Sequence, residues 1–226
     1  MAKPRVVIFD SLSLDGRMDG GGGDPQADMG LYYELASRWN ADAMLSGSET
    51  MVAAFAGQEE VPLADAPREL HPLAVPLLVI VDSRARLHCW NLIKQQTFWK
   101  DVAVLVSRLT PKPYLEELEQ KGVPYIVTGE ERVDLALALA ELGTRFRVRT
   151  VRVDSGGILN GVLLRAGLVD EVSVLLFPTL VGGTSPKTFY VAPDVTGSEQ
   201  VLHLKLIHHE QVREDGVLWL RYELLR

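Results

Sequence analysis

A single cysteine, Cys89, is all the chain holds in 226 residues. That excludes an intrachain disulfide and any metal site built from several thiolates. Cys89 sits beside Trp90 with no neighbouring base, so it reads as a core or surface thiol, not a nucleophile. Positive charge is also short. Lys and Arg number 23 against 30 Asp and Glu, a formal net charge of -7. Sequence-independent binding to nucleic acid or anionic membrane needs clustered cations, and this balance argues against both. No apolar run approaches membrane-spanning length, and the opening MAKPRVVIFD lacks the apolar core of an export signal. The expected compartment is therefore the cytoplasm. Several chemical signatures are missing too: the Gly-x-Ser-x-Gly elbow, the Walker A loop, the His-Glu-x-x-His zinc pair and the Pro-Cys-x-x-Cys of zinc deaminases. His208-His209 is no substitute, because adjacent strand residues face opposite ways.

What is present is an ordinary globular composition, 47% hydrophobic and 23% charged, at a length that suits one domain spanning 1–226. Apolar runs at 6–9, 43–46, 77–81, 102–106, 125–127, 148–153 and 172–177 predict strands. Between them, helices are predicted from Asp28 to Asn40 (Tyr32, Leu35, Ala36 and Trp39 on one face), from Pro111 to Gly122 with Leu115 and Leu118 inward, over 133–142 closed by Gly143, and over 158–166. This alternation predicts an α/β fold on a mostly parallel sheet. Residues 201–207 and 217–224 flank Glu214-Asp215-Gly216 and predict a C-terminal antiparallel hairpin. Gly20–Gly23 reads as a loop, and the four prolines within 57–76 mark a surface excursion.

Four stretches could carry chemistry. In Val151 to Gly161 a strand runs through Gly156-Gly157 directly into a helix with Ile158, Leu159, Val162 and Leu163 inward, where free amides and the helix dipole favour an anion such as a pyrophosphate. The bland alternative is a tight turn. The spacing is not the Gly-x-Gly-x-x-Gly fingerprint, so an ordinary Rossmann dehydrogenase is not expected. Ser13 and Asp15, beside Gly16, alternate with Leu12 and Leu14 and could share one side of an extended chain facing a polar substrate, or simply end a strand. Gly47 with Ser48 and Thr50 follows a strand and could present amides and a hydroxyl to phosphate. Ser83, Arg84 and Arg86 come at the carboxyl end of another strand, where a guanidinium can hold a phosphate monoester.

In this order and spacing the motifs Ser13-Leu-Asp-Gly16, Ala41-Asp-Ala with Gly47-x-x-Thr50, Val81-Asp-Ser-Arg84, Gly156-Gly157-x-Leu159-Asn160-Gly161, Ala166-Gly-Leu-Val-Asp-Glu171 and Pro178-Thr-Leu-Val-Gly-Gly183 resemble the reductase domain of the bifunctional deaminase–reductase of riboflavin biosynthesis, within the dihydrofolate-reductase-like superfamily. The resemblance covers about residues 5 to 185. It implies a three-layer α/β/α fold, a homodimer, and NADPH as cofactor. The implied cofactor contacts are Gly47, Thr50, Ser83, Arg84, Gly156, Gly157 and Leu159. Ser83 and Arg84 would lie near the 2′-phosphate, and Ser13, Asp15 and Gly16 would border the substrate. The implied reaction is hydride transfer to C1′ of a ribosylamino-pyrimidine phosphate, which needs alignment more than protein acids and bases. No catalytic dyad stands out in the sequence. Two departures leave the substrate open. Met51 to Gly57 has no Asp-Asn-Pro, and Ser155 stands where the family has Glu before the glycines. Alternatives are a reductase of another substrate, such as a pterin or dihydrofolate, and a non-catalytic nucleotide-binding protein.

Overall fold

The computed structural model describes residues 3–18, 28–60, 62–63, 69–70, 75–184, 187–197 and 201–225. The Gly20–Gly23 run and most of the proline-rich stretch lie outside them. In chain order the elements are β1 (Arg5–Ser13), α1 (Met29–Ser37), β2 (Ala43–Gly47), α2 (Ser48–Ala54), β3 (Leu77–Val81), α3 (Trp90–Gln95), β4 (Asp101–Val106) and α4 (Lys112–Gln120). They continue with β5 (Tyr125–Val127), α5 (Leu135–Arg145), β6 (Thr150–Val153), α6 (Gly157–Arg165), β7 (Glu171–Phe177), β8 (Leu204–Gln211) and β9 (Leu218–Leu224). The chain divides into two compact units: Met1–Pro4 with Asn40–Val151, and Arg5–Trp39 with Arg152–Arg226.

In the first unit β2, β3, β4 and β5 pair side by side, all parallel. Their apolar runs are buried on both faces, which is why they read as unbroken Val, Ile and Leu. Leu78, Ile80, Val102, Val104 and Val106 pack with Met51, Trp90, Ile93, Tyr114 and Leu118 from the helices. Asp134 caps α5, its carboxylate accepting from the Leu137 amide at 3.0 Å. That helix runs on through Gly143 to Arg145 instead of closing there. Of the two inward leucines expected on α4, Leu118 is buried; Leu115 is only partly so, and Tyr114 takes the deep position.

In the second unit β1 pairs with β7 in parallel, β7 with β9 antiparallel and β9 with β8 antiparallel. The expected mixed, mostly parallel α/β arrangement with a C-terminal hairpin is therefore borne out. Asp28 accepts from the Leu31 amide at 3.0 Å and starts α1 as expected. From α1, Tyr32, Leu35 and Ala36 pack on Phe9, Leu175, Phe177 and Trp219. The hairpin strands begin at Leu204 and Leu218, and β8 runs past the two histidines with a bulge between Leu206 and His208. No helix among the described residues is long and apolar enough to cross a membrane.

Candidate active site

The turn after β1 is built on Ser13. Its backbone N–H donates to the Arg17 carbonyl, and the Gly16 amide donates back to the Ser13 carbonyl, both at 2.9 Å. Gly16 takes φ 75, a conformation that favours glycine. The Ser13 hydroxyl is buried and fully used: it donates to Asp15 Oδ1 at 2.6 Å and accepts from the Arg17 amide at 2.9 Å. Asp15 also accepts from the amides of Val181 (3.1 Å) and Gly182 (2.7 Å). The Ser13 hydroxyl, first, and then those two amides pull the Asp15 carboxyl down to about 2. Ser13 and Asp15 do come together. Their polar atoms, however, are spent on tying the 178–183 stretch to the end of β1, and Asp15 alone of the two is exposed.

The glycines that open α6 divide into two kinds. Gly156 is the N-cap, no side chain caps the helix, and a Cβ at Gly156 would meet nothing within 4 Å. At Gly157 a Cβ would overlap the Thr188 carbonyl oxygen, and at Gly161 that of Val191. These two glycines, one turn apart, let the 187–193 strap lie backbone-to-backbone on the helix. The Val191 amide donates to the Gly157 carbonyl at 3.0 Å, and Asn160 Nδ2 donates to the Phe189 carbonyl at 3.0 Å. Gly157 thus answers to the protein's own chain, and Gly156 is the open position. The buried face of α6 is Gly157, Asn160, Gly161, Leu163 and Leu164. Ile158 and Val162, expected inward, are 63% and 48% exposed. Leu159 is half-buried. The apolar pattern misled here because a helix face made of glycine backbone carries no hydrophobic signal.

Behind that turn lies a polar cluster that sequence reasoning missed. Asp10 is buried and accepts from Asn160 Nδ2 at 2.8 Å. Burial, aided by the nearby charge of Asp154, pushes its carboxyl well above the usual carboxylate range; the Asn160 bond and Arg152 counter this only partly. The Tyr32 hydroxyl lies 2.9 Å from Asp154 Oδ2 and 3.0 Å from the Phe9 carbonyl oxygen. Arg152, itself buried, stands 3.8 Å from Asp154 and over the Tyr32 ring. One signal was available. Asp10 ends the run Val6–Phe9, and a charge in phase with a buried strand calls for a partner.

In the first unit Gly47 is the N-cap of α2, with Thr50 half-buried in the first turn and Glu49 beside it. Asp82, quoted in the Val81–Arg84 motif without a role of its own, organises the next turn. Its Oδ2 accepts from the Arg86 and Leu87 amides (2.8 and 3.1 Å) and from the Tyr114 hydroxyl (2.7 Å). The Ser83 carbonyl accepts from the Thr110 hydroxyl at 3.1 Å. Arg84 and Arg86 are exposed, and Arg86 stands 3.7 Å from Glu49.

The RibD C-terminal domain family matches residues 4–218. The chain belongs to that family. Over 96% of its length it is 28% identical to the 2,5-diamino-6-ribosylamino-4(3H)-pyrimidinone 5′-phosphate reductase of Methanothermobacter thermautotrophicus, covering 97% of that protein. It is 25% identical to the reductase of the same name from Aquifex aeolicus, with 92% of each chain covered. Among solved structures, Acinetobacter baumannii RibD superposes with a TM-score of 0.74 at 25% identity, over 99% of this chain and 58% of that one. A pyrimidine reductase-like protein of Corynebacterium diphtheriae gives a TM-score of 0.74 at 17% identity, over 99% and 92%. The resemblance read from the motifs is therefore borne out: two of these relatives are named as reductases, and a further one, from Actinobacillus pleuropneumoniae, as riboflavin biosynthesis protein RibD.

Proposed function

We propose that this protein is an NADPH-dependent reductase of a ribosylamino-pyrimidine 5′-phosphate, acting in riboflavin biosynthesis in the cytoplasm. One observation carries the reading: full-length similarity to reductases of that name, in a chain whose α6 opens uncapped at an unobstructed Gly156. Free first-turn amides and the positive end of a helix are what a pyrophosphate requires. In the second unit Gly156 and Leu159 are the proposed cofactor contacts, with Gly157 supporting the turn from behind. In the first unit they are Gly47, Thr50, Ser83 and Arg84. The exposed Arg84 guanidinium is suited to a phosphate monoester. When bound, the nicotinamide supplies the hydride; the protein's share is alignment and charge. Asp15 and Gly16 are the proposed substrate border, with Ser13 holding Asp15 in place.

The test is loss of 340 nm absorbance with the diamino-ribosylamino-pyrimidinone phosphate, run beside dihydrofolate and with NADH in place of NADPH. Turnover of the pyrimidine with NADPH is expected. Turnover of dihydrofolate alone would replace the substrate, and binding of neither nucleotide would end the reductase reading.

A homodimer is proposed as well. Leu204, Leu206 and Leu218 of the hairpin are exposed on the same face, since Leu206 pairs with Tyr222, Leu204 with Leu224 and Gln211 with Leu218. A second copy would cover them. Sedimentation equilibrium at twice the chain mass is expected, and Leu206→Glu should return it to the single mass.

A further inference from the structure

Asp10 closes the buried run of β1 and points at α6, where its hydrogen-bond partner is Asn160. The Asn160 carboxamide spends both Nδ2 hydrogens, one on Asp10 Oδ2 at 2.8 Å and one on the Phe189 carbonyl at 3.0 Å. A carbonyl oxygen only accepts, so the amide cannot turn over. Its own oxygen, Asn160 Oδ1, is left buried without a hydrogen-bond partner. With Asp10 ionised, the carboxylate oxygens and this Oδ1 would share a single donor. A proton on Asp10 supplies the donor that is short.

Charge points the same way. The groups facing Asp10 are Asp154 and Arg152 on β6, Tyr32 on α1 and the uncharged Asn160 on α6. Arg152 stands 3.8 Å from Asp154, so its charge is already shared with a carboxylate. Burial first, and the Asp154 charge second, bias Asp10 towards its neutral form. Burial likewise keeps the Tyr32 phenol from ionising.

Asn160 belongs to the first turn of α6, its amide donating to the Gly156 carbonyl at 3.4 Å. Asp10 therefore lies behind the helix start whose front is the open Gly156. A negative charge seated on the front amides is one helical turn and one side chain away from the Asp10 carboxyl, on the order of 10 Å. At an effective dielectric of about 20, one charge at that distance changes a carboxyl's hold on its proton about tenfold.

We propose that Asp10 couples the anion seat of α6 to a proton: a nucleotide diphosphate is bound there together with a proton held on Asp10. This rests on the reductase reading above, which puts the cofactor's diphosphate at Gly156. The two events help each other equally. The anion tightens the proton on Asp10, and the protonated Asp10 tightens the anion by the same factor. Affinity for the nucleotide therefore falls as pH rises and Asp10 ionises, by about tenfold in all. Asp10 sets the pH range over which the seat fills and takes no part in hydride transfer.

The experiment is calorimetric titration of the full chain with NADP⁺ in two buffers of different ionisation enthalpy, repeated between about pH 5 and 9. The difference in heat between buffers gives the protons taken up per nucleotide bound. In the wild-type chain uptake should rise to a maximum and fall again. Asp10→Asn should lack that component and keep only the titration of the nucleotide's own 2′-phosphate. It should also bind NADP⁺ about tenfold more tightly than wild type at the alkaline end, and equally at the acid end. A second measurement needs no variant: in wild-type protein carrying ¹³C-labelled aspartate, adding NADP⁺ at the pH of greatest uptake should strengthen the infrared band of a protonated carboxyl. NADP⁺ binding with equal uptake in both chains, or without growth of that band, would overturn the coupling and leave the reductase standing. Failure of NADP⁺ and NAD⁺ alike to bind would overturn the reductase reading and the coupling with it.

Discussion

Each compact unit pairs a tyrosine hydroxyl with an aspartate, and the two pairs are built to opposite ends. In the first unit Tyr114 donates to Asp82 at 2.7 Å, and the same carboxylate oxygen takes the Arg86 and Leu87 amides. Three donors converge on one oxygen of that carboxylate, while its other oxygen, Oδ1, is buried with no hydrogen-bond partner. Every proton has a single destination, and the turn bearing Ser83 and Arg84 is fixed as a result. In the second unit Tyr32 has two acceptors and one proton. In the first arrangement each donor has one acceptor; in the second one donor has two. Donors with a single acceptor fix a turn, and a donor with two acceptors leaves its proton a choice.

The largest effect that would break this comparison is on stability. Tyr114→Phe removes a buried bond to a carboxylate and should cost about 1.5–3 kcal/mol, whereas Tyr32→Phe should cost about 1 kcal/mol, because its alternative partners leave less to lose. Urea unfolding of both variants at one pH measures the difference. Equal costs would mean that the second pair is held as firmly as the first.

A smaller effect sharpens the contrast through pH. Asp15 is held down to about 2, below the unfolded value near 3.9, so its contribution is present above about pH 4 and is lost as pH falls towards 2. Asp10 is displaced the other way. Its contribution is full below about pH 4 and is lost as pH rises through its raised value. Asp15→Asn should flatten the acid arm of the stability–pH curve, and Asp10→Asn the arm at higher pH. Unfolding free energies from pH 2 to 8 check both. An acid arm that survives Asp15→Asn would show that its hydrogen bonds do not hold the turn.

Much of this architecture could be read in advance, for physical reasons that also explain the failures. Strands such as Leu77–Val81 and Val102–Val106 are buried on both faces, so unbroken apolar runs announced them. Helix α3 has six residues with Trp90, Leu92 and Ile93 buried, too short to show a period, and α2 follows Gly47 without a loop; both escaped notice. At the candidate site, Gly156, Asp15 and Arg84 could be picked out in the sequence as groups following strands, and all three are exposed. The inward polar residues could not be picked out. Asp10, Tyr32, Asp82, Tyr114 and Asn160 gain their meaning from partners 23 to 150 positions away, such as Asn160 for Asp10 and Tyr114 for Asp82, and only folding brings these together.

The seating of the 187–193 strap also bears on how such sequences should be compared or redesigned. It is fastened to α6 through main-chain atoms, at Val191 onto Gly157 and at Phe189 onto Asn160, and the Tyr190 ring lies under the Arg165 guanidinium. Residues on the outer side of that segment can drift or be exchanged without moving its path, while a methyl group added at position 161 would evict the whole segment at once.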